Sequence, residues 1–162
     1  MKWLTQKKKS ADIVIWYWNI VKNTINPNTI KDLPCTLWSF SRVDCAQYGL
    51  HFNPPPYFWE LAYQSEAQPV DICFVGKDKG RLTQVLKWKK LFESLGLITE
   101  FYITPDHPYN KNPNYSKPIS YKQSIEVSSR AKAIFDYIET DNSGQSMRVM
   151  EALFTHKKII TN

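Results

Sequence analysis

The run Val70-Asp-Ile-Cys-Phe-Val-Gly-Lys-Asp-Lys-Gly-Arg81 passes from an apolar, β-branched segment to a basic turn bracketed by two glycines. Residues 70–75 read as a strand that Gly76 ends. The stretch from Gly80 to Gly96 then carries Leu82, Val85, Leu86, Phe92 and Leu95 at the spacing of one helical face. A strand, a glycine turn and a helix in that order are the start of a parallel α/β unit.

The same alternation continues toward the carboxyl terminus. Leu97 to Thr104 reads as a strand, and the proline- and asparagine-rich stretch from Pro105 to Pro118 as a surface loop. A helix starts at Ser120-Tyr121 with Tyr121, Ile125 and Ser128 on one side, and Ala133 to Ile138 is a further strand. Gly144 to Thr155 is expected to be a helix with Met147, Met150, Leu153 and Phe154 inward, followed by a last strand from Lys158 to Thr161. The expectation is an α/β fold with a Rossmann-like open, mostly parallel sheet and helices on both faces.

Toward the amino terminus, Asp12 to Trp18 and Cys35 to Phe40 read as two buried strands, with a turn or short helix beginning at Asn26-Pro27. Pro54, Pro55 and Pro56 make a stiff extended connector that leads into the aromatic cluster Tyr57, Phe58 and Trp59. The expected organisation is a partial α/β unit over 1–53, a linker over 54–69 and a ligand-binding domain over 70–162.

Composition supports a globular chain: 43% of the 162 residues are hydrophobic and 22% are charged. No apolar stretch reaches the roughly 20 residues of a spanning helix and no secretory leader is legible, so a cytoplasmic protein is expected. Cys35, Cys45 and Cys73 lack C-x-x-C spacing, which argues against a zinc site or a disulfide framework. The net charge of +6 fits nucleic acid, an anionic lipid surface or a phosphate-bearing ligand. The Lys7-Lys8-Lys9 run and Lys87, Lys89 and Lys90 supply much of it.

Two segments carry binding chemistry. In the first, Gly76 lets backbone approach a ligand, the following helix start offers N–H groups, and Lys77, Lys79 and Arg81 supply cations for a diphosphate. It is neither a P-loop nor G-x-G-x-x-G. In the second, Ser143, Gly144, Gln145 and Ser146 form a polar loop that leads into a helix bearing Arg148 and Glu151. The hydroxyls and amide can donate to phosphate or sugar oxygens, and the Glu151 carboxylate can accept two ribose hydroxyls. The plainer alternative is an Arg148–Glu151 pair at i, i+3 on a solvated surface. His51, His107 and His156 are scattered and read as surface residues, and Asp136 as structural at the end of its strand.

Gly76-Lys77, together with S-G-Q-S-M-R-V-M-E-A-L-F at 143–154 and K-K-I-I-T-N at 157–162, resembles the donor-binding domain of GT-B glycosyltransferases. More narrowly, it is similar to bacterial lipopolysaccharide and capsular polysaccharide biosynthesis proteins, which also show stretches like W-Y-W-N at 16–19, S-F-S-R-V-D at 39–44 and Y-G-L at 48–50. The resemblance implies a nucleotide-diphosphate sugar donor with Glu151 on the ribose, Lys77 and Arg81 near the diphosphate, and the 144–146 loop near phosphate or sugar. It implies a glycan or lipid-linked acceptor and needs neither a metal nor a cofactor, in keeping with the lack of a D-x-D motif. It places the protein in the cytoplasm or peripherally at the inner face of the membrane, with no nucleic acid as partner, and a second copy is a candidate to cover the last strand. Only the last portion of the acceptor-side domain is expected here, and no catalytic base is nominated. Two other readings stand beside this one: a non-catalytic remnant or interaction subunit of such an enzyme, and a basic nucleic-acid-binding module.

Overall fold

The computed structural model describes residues 11–62, 65–67, 69–138 and 146–162. The chain forms two compact units, one from residues 1–56 with 139–146 and the other from 57–138 with 147–162. Among the described residues, no helix is long and apolar enough to cross a membrane.

The first unit holds a parallel sheet of β1 (Val14–Tyr17), β2 (Thr36–Ser39) and β3 (His51–Phe52), in that order. Helix α1 (Arg42–Tyr48) joins the last two, with the Ser41 side chain accepting from Asp44 N at 3.1 Å and Gly49 closing the helix at φ +66°. The sequence reading left α1 and β3 out. Tyr17, Val21, Ile30 and Leu50 make the core, and the half-buried Leu33 and Leu37 pack against it. Asp44 faces inward because its carboxylate accepts from Val21 N at 2.9 Å, which satisfies a buried backbone donor.

The second unit is a four-stranded, wholly parallel sheet with helices on both faces. Its strands are β4 (Val70–Lys77), β5 (Thr99–Thr104), β6 (Ala131–Asp136) and β7 (Lys158–Thr161), in the spatial order β5-β4-β6-β7. Helix α2 (Leu82–Ser94) covers one face, where Val85 and Phe92 meet Ile72, Phe74, Ile103 and Phe135. Helices α3 (Tyr121–Ser129) and α4 (Met147–Phe154) cover the other, where Val127 and Ala152 meet Val70, Cys73, Ala131 and Ile134. Helix α3 starts on a capping box in which Ser120 and Gln123 satisfy each other's backbone N–H.

The structure differs from the sequence expectation in two details. Strand β4 does not stop at Gly76, because Gly76 and Lys77 still pair with Ile103 and Thr104 of β5. Helix α4 is rotated from the expected phase: Leu153 is 66% exposed, while Glu151 and Ala152 are buried. Small Ala152 lets the helix approach the sheet, and Glu151 can follow it inward because a tyrosine hydroxyl meets its carboxylate.

The chain leaves β4 for β5 on one side, then crosses back over β4 to reach β6 and β7. The strand order therefore reverses between β4 and β6. At such a reversal the connections leave in opposite directions and open a crevice at the carboxyl ends of the strands, where open α/β sheets bind ligands.

Candidate functional site

Gly76 and Lys77 end β4, and Asp136 ends β6, so the two sides of the crevice are set by the strand register. The turn after β4 is held by its own acids. Asp78 N donates to Thr104 O at 2.8 Å and Lys79 N to Asp106 Oδ1 at 3.0 Å. Asp78 Oδ1 accepts from Leu82 N at 2.7 Å, and Asp78 Oδ2 accepts from the Tyr115 hydroxyl at 2.5 Å. The first amide of α2 is thus taken by Asp78, and Lys79 and Gly80 turn the chain at φ +50° and +76°. The side chains of Lys77 and Lys79 are exposed at the mouth of the crevice.

Two arginines lie beneath them. Arg81 is buried, and its guanidinium donates to Lys77 O at 3.2 and 3.3 Å and to Tyr137 O at 3.0 Å, tying the end of β4 to the residue that follows β6. Arg148, at the start of α4, donates to Val75 O at 2.7 and 3.1 Å and pairs through Nη1 with Asp136 Oδ1 at 3.0 Å. Both guanidinium groups lie over the Phe74 ring, at 4.8 Å for Arg148 and 5.5 Å for Arg81. Gly76 makes this packing possible, since a Cβ there would overlap Arg148 Nη2 and approach Phe74 Cζ to 3.2 Å and Arg81 Nη2 to 3.3 Å.

The structure thus brings Gly76, Lys77, Lys79, Arg81 and Arg148 together at one place, with two exposed lysines beside one buried and one half-buried arginine. Half-buried Ser146 directly precedes α4, while Ser143, Gly144 and Gln145 lie outside the described residues, as does the Lys7-Lys8-Lys9 run. The surface pair Arg148–Glu151 is not formed: Arg148 turns to Asp136, which is only 1% exposed.

Glu151 is 8% exposed and accepts from the Tyr121 hydroxyl of α3 at 3.4 Å. Burial pushes its carboxyl above the ordinary carboxylate range, opposed by the nearby Arg148 charge and by the Tyr121 hydrogen bond. Burial and the facing carboxylate push Tyr121 well above the usual phenol range, and Tyr57 shifts the same way for the same two causes. Cys73 is buried as well, and burial pushes its thiol up to about 12, so it carries little thiolate near neutral pH. Among the described residues, no three His, Cys, Asp or Glu side chains are placed to hold a metal ion.

The raised Glu151 value has a consequence for stability. The folded chain favours the protonated carboxyl, so this contribution is complete below the ordinary carboxylate range and is lost as pH rises through the raised folded value. Glu151→Gln is expected to gain stability relative to the parent as pH increases from about 4.5 to 8, with the two proteins converging at the acid end. Urea unfolding of both across that range checks this, and a difference that stays constant with pH would contradict it.

Sequence reasoning missed the partners rather than the residues. Asp136, Asp78, Tyr57 and Tyr121 were not read as part of a site, and the one local sign was the position of Asp136 at the end of a strand. In comparisons with known protein families and with curated proteins, the chain matches neither a family model nor a curated sequence.

Proposed function

We propose that the second unit binds the diphosphate of a nucleotide sugar at the β4/β6 crevice. In this reading the chain is the donor side of a glycosyltransferase that serves a glycan or lipid-linked acceptor. The supporting observation is a coincidence of topology and charge: the strand-order reversal, which physical argument makes the ligand position, is also where Gly76, Lys77, Lys79, Arg81 and Arg148 converge.

The division of labour follows from what each cation already holds. Arg81 and Arg148 are engaged by backbone carbonyls and Asp136, so they fix the strand ends and contribute a positive floor. Lys77 and Lys79 project at the mouth and meet the phosphate oxygens directly. In glycosyl transfer the bond from the anomeric carbon to the diphosphate oxygen breaks and negative charge grows on the leaving phosphate. Preorganised cations at that point stabilise the transition state more than the ground state. The lysines supply this charge from the protein's own side chains.

The test is titration of the chain and of Lys77→Ala/Lys79→Ala with UDP and GDP by calorimetry. Loss of charge-assisted contacts is expected to weaken binding by about tenfold or more, with the fold retained because both side chains are exposed. Binding that the double substitution leaves unchanged would place the diphosphate elsewhere. A folded chain that binds neither nucleotide at millimolar concentration would favour the interaction-subunit reading.

A further inference from the structure

Residues 57–61 put large apolar side chains at the surface of the second unit. The Tyr57 ring packs on Phe154 of α4 at 4.9 Å, and its hydroxyl donates to Leu61 O at 3.3 Å. Phe58 is left 64% exposed and Trp59 69% exposed, although the Trp59 ring lies 6.0 Å from that of Phe154. A lone exposed apolar side chain needs no explanation, but two adjacent aromatics beside an apolar groove mark a contact surface. The 3-10 turn Trp59–Leu61 forms one wall of that groove and α3 the other. The groove has a volume of about 640 Å³, and Leu61, Tyr121 and Ile125 give it an apolar lining. A projection and a recess thus stand side by side.

Three charges stand on the rim of the groove: Glu60 beside Trp59, and Lys122 and Glu126 on α3. Among the described residues, none of the three forms an ion pair. Two carboxylates to one ammonium is the wrong balance for an anionic lipid surface, which repels Glu60 and Glu126. A second copy of the chain answers both the shape and the charge. In a two-fold contact the same surface faces itself, so the Trp59 turn of each protomer enters the groove of the other. Glu60 travels with Trp59 and comes against α3 of the partner, where Lys122 offers the opposite charge, and the symmetry forms this pair twice.

We propose that the Trp59 turn and the groove beside α3 form a two-fold interface between two copies of this chain. Trp59 is its anchor, because a large aromatic side chain seated in a desolvated recess carries a disproportionate share of binding energy. The Glu60–Lys122 pairs fix the register, which is the main work of charges at an interface rim. Covering Phe58, Trp59, Tyr121 and the groove lining removes roughly 500 Å² of surface per protomer, since each large aromatic buries about 150–250 Å² in full. The resulting total of about 1,000 Å² reaches the lower bound of a specific interface. The inference stands apart from the nucleotide-binding reading, because none of its residues belongs to the crevice.

Sedimentation equilibrium of the full chain at about 0.15 M salt, where the net charge of +6 is screened beyond about 8 Å, tests this. The parent is expected to associate to a dimer and no further. Trp59→Ala is expected to raise the dimer Kd about thirtyfold or more, the loss that defines an interface anchor. Glu60→Lys and Lys122→Glu are each expected to weaken the dimer about tenfold by setting like charges together, and the two combined to restore it. All three side chains are exposed, so the variants keep the fold, which circular dichroism checks. A parent that stays monomeric at high micromolar concentration overturns the proposal. A dimer that Trp59→Ala leaves intact also overturns it and places the contact on another surface. A combined charge reversal that adds the two single losses overturns the two-fold arrangement. A monomer that co-sediments with anionic phospholipid vesicles, and loses this in Trp59→Ala, overturns it in favour of a lipid surface.

Discussion

Arg148→Met is expected to lower the unfolding free energy by about 3–5 kcal/mol, the range for removing one partner of a buried ion pair. Asp136 is 1% exposed, and its carboxylate loses the Arg148 Nη1 contact at 3.0 Å. The substitution also strips Val75 O of two donors at the end of β4. Against a total stability of about 5–15 kcal/mol for a domain, this brings the protein close to unfolding at room temperature. The control is Asp136→Asn with Arg148→Met: with the charge gone from both sides the loss should shrink, because most of the single-variant cost is a buried carboxylate that has lost its Arg148 partner. Urea denaturation of the two single variants and the double variant measures the coupling, and additive losses would show that the pair is not the source of the effect.

Gly76→Ala is expected to cost about 1–3 kcal/mol by overpacking. The added methyl overlaps Arg148 Nη2, and Arg148 has little freedom to move because it holds both Val75 O and Asp136. The same methyl crowds Phe74 and Arg81, so the substitution disturbs both straps across the crevice. Thermal unfolding gives the loss directly. Wild-type stability in Gly76→Ala would mean that the two arginines do not hold the positions described.

Both effects centre on contacts that no sequence pattern could display. The strands of the second unit were legible because residues such as Ile72, Cys73, Phe74 and Val75 form a continuous apolar run, as strands buried on both faces do. Alternation of these runs with helical periodicity was enough to fix a parallel α/β sheet. Helix α1 was missed because Arg42–Tyr48 is short and mixed in composition, although Ser41 with Asp44 three residues on, and Gly49 after it, were start and stop signals.

The site was legible only as a set of residue types. Lys77, Lys79, Arg81, Arg148 and Glu151 stand near strand ends or helix starts in the sequence, which suffices to nominate them. Which cation faces solvent and which is spent on backbone depends on Tyr137 O and Val75 O, carbonyls presented by other parts of the fold. Glu151 was expected to face a ligand, and its burial against Tyr121 arises from the packing of α3 beside α4, 30 positions apart in the chain. The phase error at Leu153 has the same origin: six apolar side chains on an eight-residue helix allow more than one inward face, and small Ala152 decides the matter by letting the backbone approach.

The β4/β6 crevice is proposed as the place where this chain takes a nucleoside diphosphate. The most direct measurement is a titration of the ¹⁵N-labelled chain with UDP and GDP, without divalent cations, followed through the backbone amide resonances. The amides of Gly76 to Gly80 and of Met147 and Arg148 are expected to shift together and saturably with one of the two nucleotides. Shifts that map to another surface, or none at millimolar nucleotide in a folded sample, would contradict it.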